Sequence, residues 1–193
     1  MEIVSVVSGA QVALPRGVYS QVSRYRQKVF VERLGWNLRV DNGEERDQFD
    51  RSDTVYVVAR DAHGRVTGCA RLLPTTRPYL LEEVFPRLLN GAPPPSSPEV
   101  WELSRFAAVD LNRSPTYPSH QNSSPTAVDL LKESITCAAA RGAKRLITVS
   151  PIGVERLLRR AGFHAHRTGP PMVAEGHPVV VCLIETEQPA AGL

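Results

Sequence analysis

Val22, Tyr25, Val29, Phe30 and Leu34 recur at helical spacing between residues 18 and 34, with Arg24, Arg26, Lys28, Glu32 and Arg33 among them. That period predicts an amphipathic helix, which Gly35 is placed to end. Residues 36–53 are polar and irregular. The run TVYVVAR (54–60) predicts a strand, a turn at 61–64 follows, and 65–73 predicts its hairpin partner. Residues 80–89 read as a short helix. GAPPPSSP (91–98) must be a loop, because its four prolines fit neither a helix interior nor a central strand. Beyond it the pattern predicts a strand at 100–109, a helix at 126–141, a buried strand at 145–149, a helix at 154–161 closed by Gly162, and a last strand at 178–185. Hairpin strands followed by strand–helix–strand–helix–strand imply an α/β fold, a three-layer α/β/α sandwich around a mixed sheet.

Length and composition narrow the class. A chain of 193 residues has room for one domain over 1–193, here with an N-terminal lid region at about 1–53 and a Ser/Pro-rich loop at about 112–125. Hydrophobic residues at 42% and charged residues at 22% exclude disordered and fibrous classes. A net charge of +3 permits an acidic partner without demanding nucleic acid. Cys69, Cys137 and Cys182 lie far apart with no CxxC pair, which argues against a disulfide scaffold and a zinc site and fits a reducing cytoplasm. The first twenty residues lack a basic start and are interrupted by Gln11 and Pro15, so they make a poor signal peptide. No apolar run reaches the roughly 18 residues of a spanning helix. The expectation is a soluble cytoplasmic protein with neither membrane nor nucleic-acid partner.

Candidate chemistry concentrates in two places. The N-terminal half sets Arg26, Asp47 and Asp50 near Phe30 and Trp36, which reads either as a solvated helix face with an acidic loop or as a site. The segment VWELSRFA (100–107) carries charges inside an apolar strand, costly unless paired or used. Strand alternation puts Glu102, Ser104 and Phe106 on one face and Trp101, Leu103 and Arg105 on the other.

Arg26-x-x-x-Phe30, Leu34-Gly35-Trp36, Asp47-x-x-Asp50, Arg71, the block GCARLLPTTRPYLL (68–81) and Glu102-Leu103-Ser104-Arg105-Phe106 resemble, in order and spacing, the acyl-homoserine lactone synthases of bacterial quorum sensing. The resemblance runs from about residue 18 to about 166. It implies a fold related to the N-acetyltransferases. It also implies transfer of an acyl chain from acyl carrier protein to the amine of S-adenosylmethionine, then closure of the methionine carboxylate onto its own γ-carbon with release of methylthioadenosine. S-adenosylmethionine is then a substrate, and no cofactor or metal is needed. Arg26, Phe30, Trp36, Asp47, Asp50, Arg71, Glu102 and Arg105 would surround it, with Ser104 and Phe106 in the same block. An ammonium must lose a proton before it attacks a thioester, and Glu102 is the candidate base, directly or through water. Arg71 and Arg105 can pair with the acids and with the substrate carboxylate. An architectural ion-pair network of the same residues is the alternative.

Two absences bear on the donor and on the role of adenosylmethionine. No Gly-rich loop follows a first strand, so methyl transfer is disfavoured. LNRSPTYPSHQNSSP (111–125) has no glycine where coenzyme-A acetyltransferases carry a pyrophosphate cradle, which favours a carrier protein. The segment 148–154 resembles the family's chain-selecting region. Leu103, Val149, Ile152 and Leu158 are candidate pocket-lining residues, though buried aliphatics are more often plain core. In resembling members a hydroxyl at the Thr148 position goes with tolerance of a 3-oxo group, which suggests a chain of about eight carbons with a C3 oxygen possible. Lys144, Arg145, Arg156, Arg159 and Arg160 form the richest basic patch, a candidate docking surface for the acidic carrier. A coenzyme-A-dependent N-acyltransferase of the same fold and a noncatalytic sensor of adenosylmethionine or acyl carrier are the competing readings.

Overall fold

The expected first helix forms: α1 spans Val18–Arg26, and the chain stays helical with wider turns over Gln27–Arg33. The computed structural model describes residues 5–111, 125–174 and 176–187. Two compact units divide the chain, Met1–Arg71 with Arg105–Glu133 and Leu72–Ser104 with Ser134–Leu193, here the first and second units. Most of the Ser/Pro-rich loop, residues 112–124, lies outside the described residues.

In the first unit β1 (Ser5–Ala10) pairs antiparallel with β4 (Val55–Arg60), Ser5 facing Arg60 and Ala10 facing Val55. The sequence reading missed β1, because SVVSGA carries few apolar side chains and gains its strand geometry from the β4 edge. The region expected as a lid also contains a two-residue pairing, β2 (Val40–Asp41) with β3 (Glu44–Glu45). Asp61 shapes the predicted turn after β4, accepting from the amides of His63 and Arg65, each at 2.9 Å. Next comes β5 (Val66–Pro74), which neighbours β4 on one side and β6 (Val100–Ala107) on the other.

Helix and strands share one core in this unit: Val18, Val22, Tyr25, Val29 and Phe30 pack with Tyr56, Val58, Val66, Cys69 and Ala107. Gly68 sits in a tight approach. A Cβ there would stand 3.1 Å from the Ala107 carbonyl oxygen and 3.3 Å from Leu130 of α3 (Pro125–Ala139). The Tyr25 hydroxyl accepts from the Val109 amide at 2.8 Å, satisfying a donor in the core.

The second unit supplies the mixed character of the sheet. There β6 runs parallel to β7 (Arg145–Pro151), Glu102 facing Ile147. β10 (His177–Glu185) runs antiparallel to β7 and also pairs with β8 (Ala165–Arg167) and β9 (Met172–Ala174), two short strands the sequence reading did not find. α4 begins at Ile152, two residues before the expected start, and ends at Arg160, burying Val154, Leu157 and Leu158. α2 is short, Leu80–Glu83, followed by one tight helical turn, Pro86–Leu89. The residues 91–98 form no helix or strand, as their prolines require. Among the described residues no helix is long and apolar enough to cross a membrane.

Candidate active site

In the first unit three arginines and three carboxylates close an alternating ring. Arg26, the last residue of α1, reaches Glu45 with Nε at 2.5 Å and Asp50 with both terminal nitrogens at 2.8 and 3.0 Å. Arg71 on β5 reaches Asp47 at 2.6 Å and Asp50 at 3.0 Å. Arg105 on β6 closes the ring on Glu45 and Asp47, each at 3.0 Å. Each carboxylate is shared by two arginines, and the formal charges of the six sum to zero. Arg26 and Arg71 are fully buried. A lone buried charge there would be prohibitively costly, so each member is tolerated because the others are present.

Local geometry holds the acids in register. The Asp47 amide donates to Asp50 and the Phe49 amide donates to Asp47, both at 2.9 Å. From β4 the hydroxyl of Tyr56, itself fully buried, also donates to Asp50. Burial opposes the charged form of Asp50, but the Arg26 and Arg71 guanidiniums outweigh it and hold this carboxyl well below the usual carboxylate range. Burial likewise works against the charge on Arg26, and Asp50 with Glu45 more than restores it.

Beside the ring lies an aromatic pair. Phe30 and Trp36 stack with centroids 5.0 Å apart and planes 21° from parallel. Gly35, at φ 70°, turns the chain so that the Trp36 amide donates back to the Phe30 carbonyl at 2.9 Å. Phe30 is buried while Trp36 is half-buried. The Arg105 guanidinium lies 5.8 Å from the Phe30 centroid, and that of Arg71 lies 5.6 Å from Phe49.

Strict alternation along β6 does not hold. Arg105 adopts φ 51°, in the left-handed region, so the expectation that it shares a face with Trp101 and Leu103 fails at this residue. A non-glycine residue pays about 1–2 kcal/mol for that conformation. Four consecutive residues, Glu102 through Arg105, are buried where alternation would bury every second one.

The second unit holds the remaining candidates. Glu102 is buried, and its two oxygens accept from the amides of Leu80 at 3.0 Å and Leu81 at 2.7 Å. The hydroxyls of Thr148 and Ser150 lie 2.8 Å apart, both buried, so the partner of Thr148 is a side chain and not the neighbouring backbone. Leu103, Ser104 and Leu158 are buried, Val149 and Ile152 half-buried; Phe106, half-buried, belongs to the first unit. In the basic patch Lys144 pairs with Glu99 at 2.6 Å, and Arg159 lies 3.5 Å from Glu155, which Arg167 also holds. Arg145, Arg156 and Arg160 are exposed.

The sequence reading brought Arg26, Asp47, Asp50, Arg71 and Arg105 forward and passed over Glu45 and Tyr56. A signal for Glu45 existed. Glu45 and Asp47 are two apart, a spacing that lets an extended chain offer both carboxylates to one side. The adjacent Glu44 and Arg46, paired with each other at the surface, made the stretch look like a solvated acidic run. Tyr56 is indistinguishable from core in the run TVYVVAR.

The sequence profile of the autoinducer synthase family matches residues 12–191. An acyl-homoserine-lactone synthase of Acinetobacter nosocomialis is 57% identical over 181 residues, covering 94% of this chain and 99% of that protein. Among solved structures, TofI in a ternary complex with an inhibitor and MTA is 46% identical with a TM-score of 0.81, over 95% of this chain and 92% of that one. BjaI, a coenzyme-A-dependent acyl-homoserine lactone synthase solved with SAM and isopentyl-CoA, is 28% identical with a TM-score of 0.79, over 95% and 84%. An N-acetyltransferase structure from Lactobacillus plantarum, at 17% identity and a TM-score of 0.62, shares the fold alone.

Proposed function

Because the chain belongs to the autoinducer synthases, as an acyl-homoserine-lactone synthase and so an acyltransferase, we propose that it joins an acyl chain from acyl carrier protein to the amine of S-adenosylmethionine and then forms the lactone. The closed ring of Arg26, Glu45, Arg105, Asp47, Arg71 and Asp50, beside stacked Phe30 and Trp36, carries this reading. Solved relatives hold SAM and MTA, the substrate and the leaving group this chemistry requires. A ring of fixed charges needs no reorganisation when a zwitterionic substrate with a sulfonium arrives. The half-buried Trp36 offers an aromatic face to the adenine or the sulfonium.

In the first step Glu102 takes a proton from the substrate ammonium, directly or through water. The freed amine attacks the thioester carbonyl, a carbon–nitrogen bond forms, and the carrier's thiol leaves. In the second step the methionine carboxylate attacks its own γ-carbon, the carbon–sulfur bond breaks, and methylthioadenosine departs. The sulfonium is already an activated leaving group, so closure depends on alignment. Neither step calls for a metal or a redox cofactor. Two amide donors already orient the Glu102 carboxylate, which fixes the geometry from which it meets the ammonium.

The exposed Arg156 and Arg160, one turn apart on α4, support docking of an acidic carrier. The acyl chain is about eight carbons long, where one methylene is worth only about 1–3 kcal/mol, and the buried Thr148 hydroxyl supports tolerance of an oxygen at C3. The likeness to coenzyme-A-dependent BjaI favours a second reading in which the acyl donor is a coenzyme-A thioester. One experiment separates them. The protein is incubated with adenosylmethionine and matched carrier-linked or coenzyme-A-linked chains of four to twelve carbons, and products are identified by mass spectrometry. Acyl-homoserine lactone and methylthioadenosine formed preferentially from the carrier are expected. Preference for coenzyme A overturns the donor assignment, and absence of lactone from either donor overturns the function.

A further inference from the structure

Glu102 is held from outside its own strand, and its holders are themselves tied down. The amides that reach its two oxygens belong to Leu80 and Leu81, at the start of α2. Just before them stands Tyr79, fully buried, whose hydroxyl donates to the Pro95 carbonyl at 2.8 Å. Four residues upstream the Thr75 hydroxyl lies 2.7 Å from the Val100 carbonyl and accepts from the Ser97 amide at 3.1 Å. The segment 75–79 is therefore fastened at both ends to residues 95–100, which lead directly into the strand bearing Glu102. Pro95 makes a stiff acceptor, since prolines 93, 94 and 95 each fix their own φ.

We infer that Tyr79 is a positioning residue for Glu102: its bond to Pro95 fixes the Leu80 and Leu81 amides, which fix the carboxylate that takes the amine proton. The inference rests on the base role given to Glu102 above. Burial, and then the charges of Glu82 and Glu102, push the Tyr79 phenol well up, so it remains a donor across the working range. The Pro-rich loop, which the sequence marks only as irregular, thereby gains a task. It is the fixed end of a tether. A carboxylate loosened by a fraction of an ångström still carries its charge, but it meets the ammonium in the productive geometry less of the time.

The test compares wild type, Tyr79→Phe, Pro95→Gly, the double variant and Glu102→Gln in steady-state lactone synthesis from pH 6.5 to 9.5, with urea unfolding of each. Tyr79→Phe removes one oxygen from a buried ring. Its expected effect at pH 7 is a fall in kcat of about five- to fiftyfold. KM for both substrates should change less than about twofold, because binding groups are untouched. Pro95→Gly should produce the same pattern, and the double variant little more than either single one. Above pH 8 the free α-amine, with an ordinary pKa of about 7.7–8.0, supplies itself unprotonated. The deficits of Tyr79→Phe and Glu102→Gln should shrink together there, a recovery that a loosened fold would not give. Near-normal turnover in Glu102→Gln would remove the base role and this inference with it. Loss of turnover in Glu102→Gln alongside a wild-type Tyr79→Phe would overturn the inference alone. A Tyr79→Phe deficit equal at every pH and matched by lost stability would do the same.

Discussion

Arg26 grips Asp50 through both terminal nitrogens, at 2.8 and 3.0 Å, while its remaining nitrogen holds Glu45. The side chains of Arg26 and Asp50 are 0% and 2% exposed, so solvent does not screen the pair. A fork of three donors meets two acids in one plane, a geometry that lysine cannot reproduce.

Arg26→Lys should therefore behave as a broken network and not as a conservative change. It withdraws charged donors from two buried carboxylates, although Arg71 still holds Asp50 and Arg105 still holds Glu45, a loss of about 1–3 kcal/mol. Urea unfolding should show the lowered midpoint, and turnover should fall with it. A loss below about 1 kcal/mol would mean that the ring is solvated.

Acid should act on this network late. The Asp50 carboxyl is held well below its ordinary value, which in the unfolded chain is about 3.9. Below that unfolded value the unfolded state binds a proton the folded state refuses, so stability rises with pH there. The contribution is complete above about pH 5 and is lost as the pH falls through the unfolded value toward the folded one. The stability difference between wild type and Asp50→Asn should stay constant from pH 5 to 8 and shrink on further acidification. A difference that changed between pH 6 and 8 would assign the titration to another group.

Thr148 and Ser150 satisfy each other in the core at 2.8 Å. Thr148→Val strands the Ser150 hydroxyl and should cost about 1–3 kcal/mol, whereas Thr148→Val with Ser150→Ala removes both partners and should cost less. If the pair also meets the acyl chain, Thr148→Val should lower the share of C3-oxygenated product in a mixed-donor assay. An unchanged product ratio would confine the pair to structure.

Charge reversal at Arg156 and Arg160 should raise the apparent KM for an acyl carrier and leave that for adenosylmethionine as it was. The wild-type value should itself rise with salt, since the attraction is screened over roughly 8–10 Å. The charge is added on the exposed side of α4, opposite the buried Val154, Leu157 and Leu158, so stability should barely move. Equal carrier affinity before and after the reversal would refute the docking surface.

Periodicity was enough for the elements with strong internal patterns. Val22, Tyr25, Val29 and Phe30 announce α1, and TVYVVAR announces β4, because each segment buries one continuous face of its own. It was not enough for β1, β8 and β9. These short strands take their geometry from a neighbour's open edge, and a chain read residue by residue contains no neighbour.

The same division runs through the site. The sequence by itself determined the chemical inventory, namely the arginines, carboxylates and aromatics, and their spacing carried the family resemblance that implies the class of reaction. Only the tertiary structure decided how that inventory is shared: Glu45 between Arg26 and Arg105, Tyr56 on Asp50, Arg105 turned by its left-handed backbone, and Glu102 held by amides from α2. Residue types follow from composition and order along the chain. A buried charge, however, survives only beside partners brought from 19 to 60 residues away, and such partners are chosen by packing.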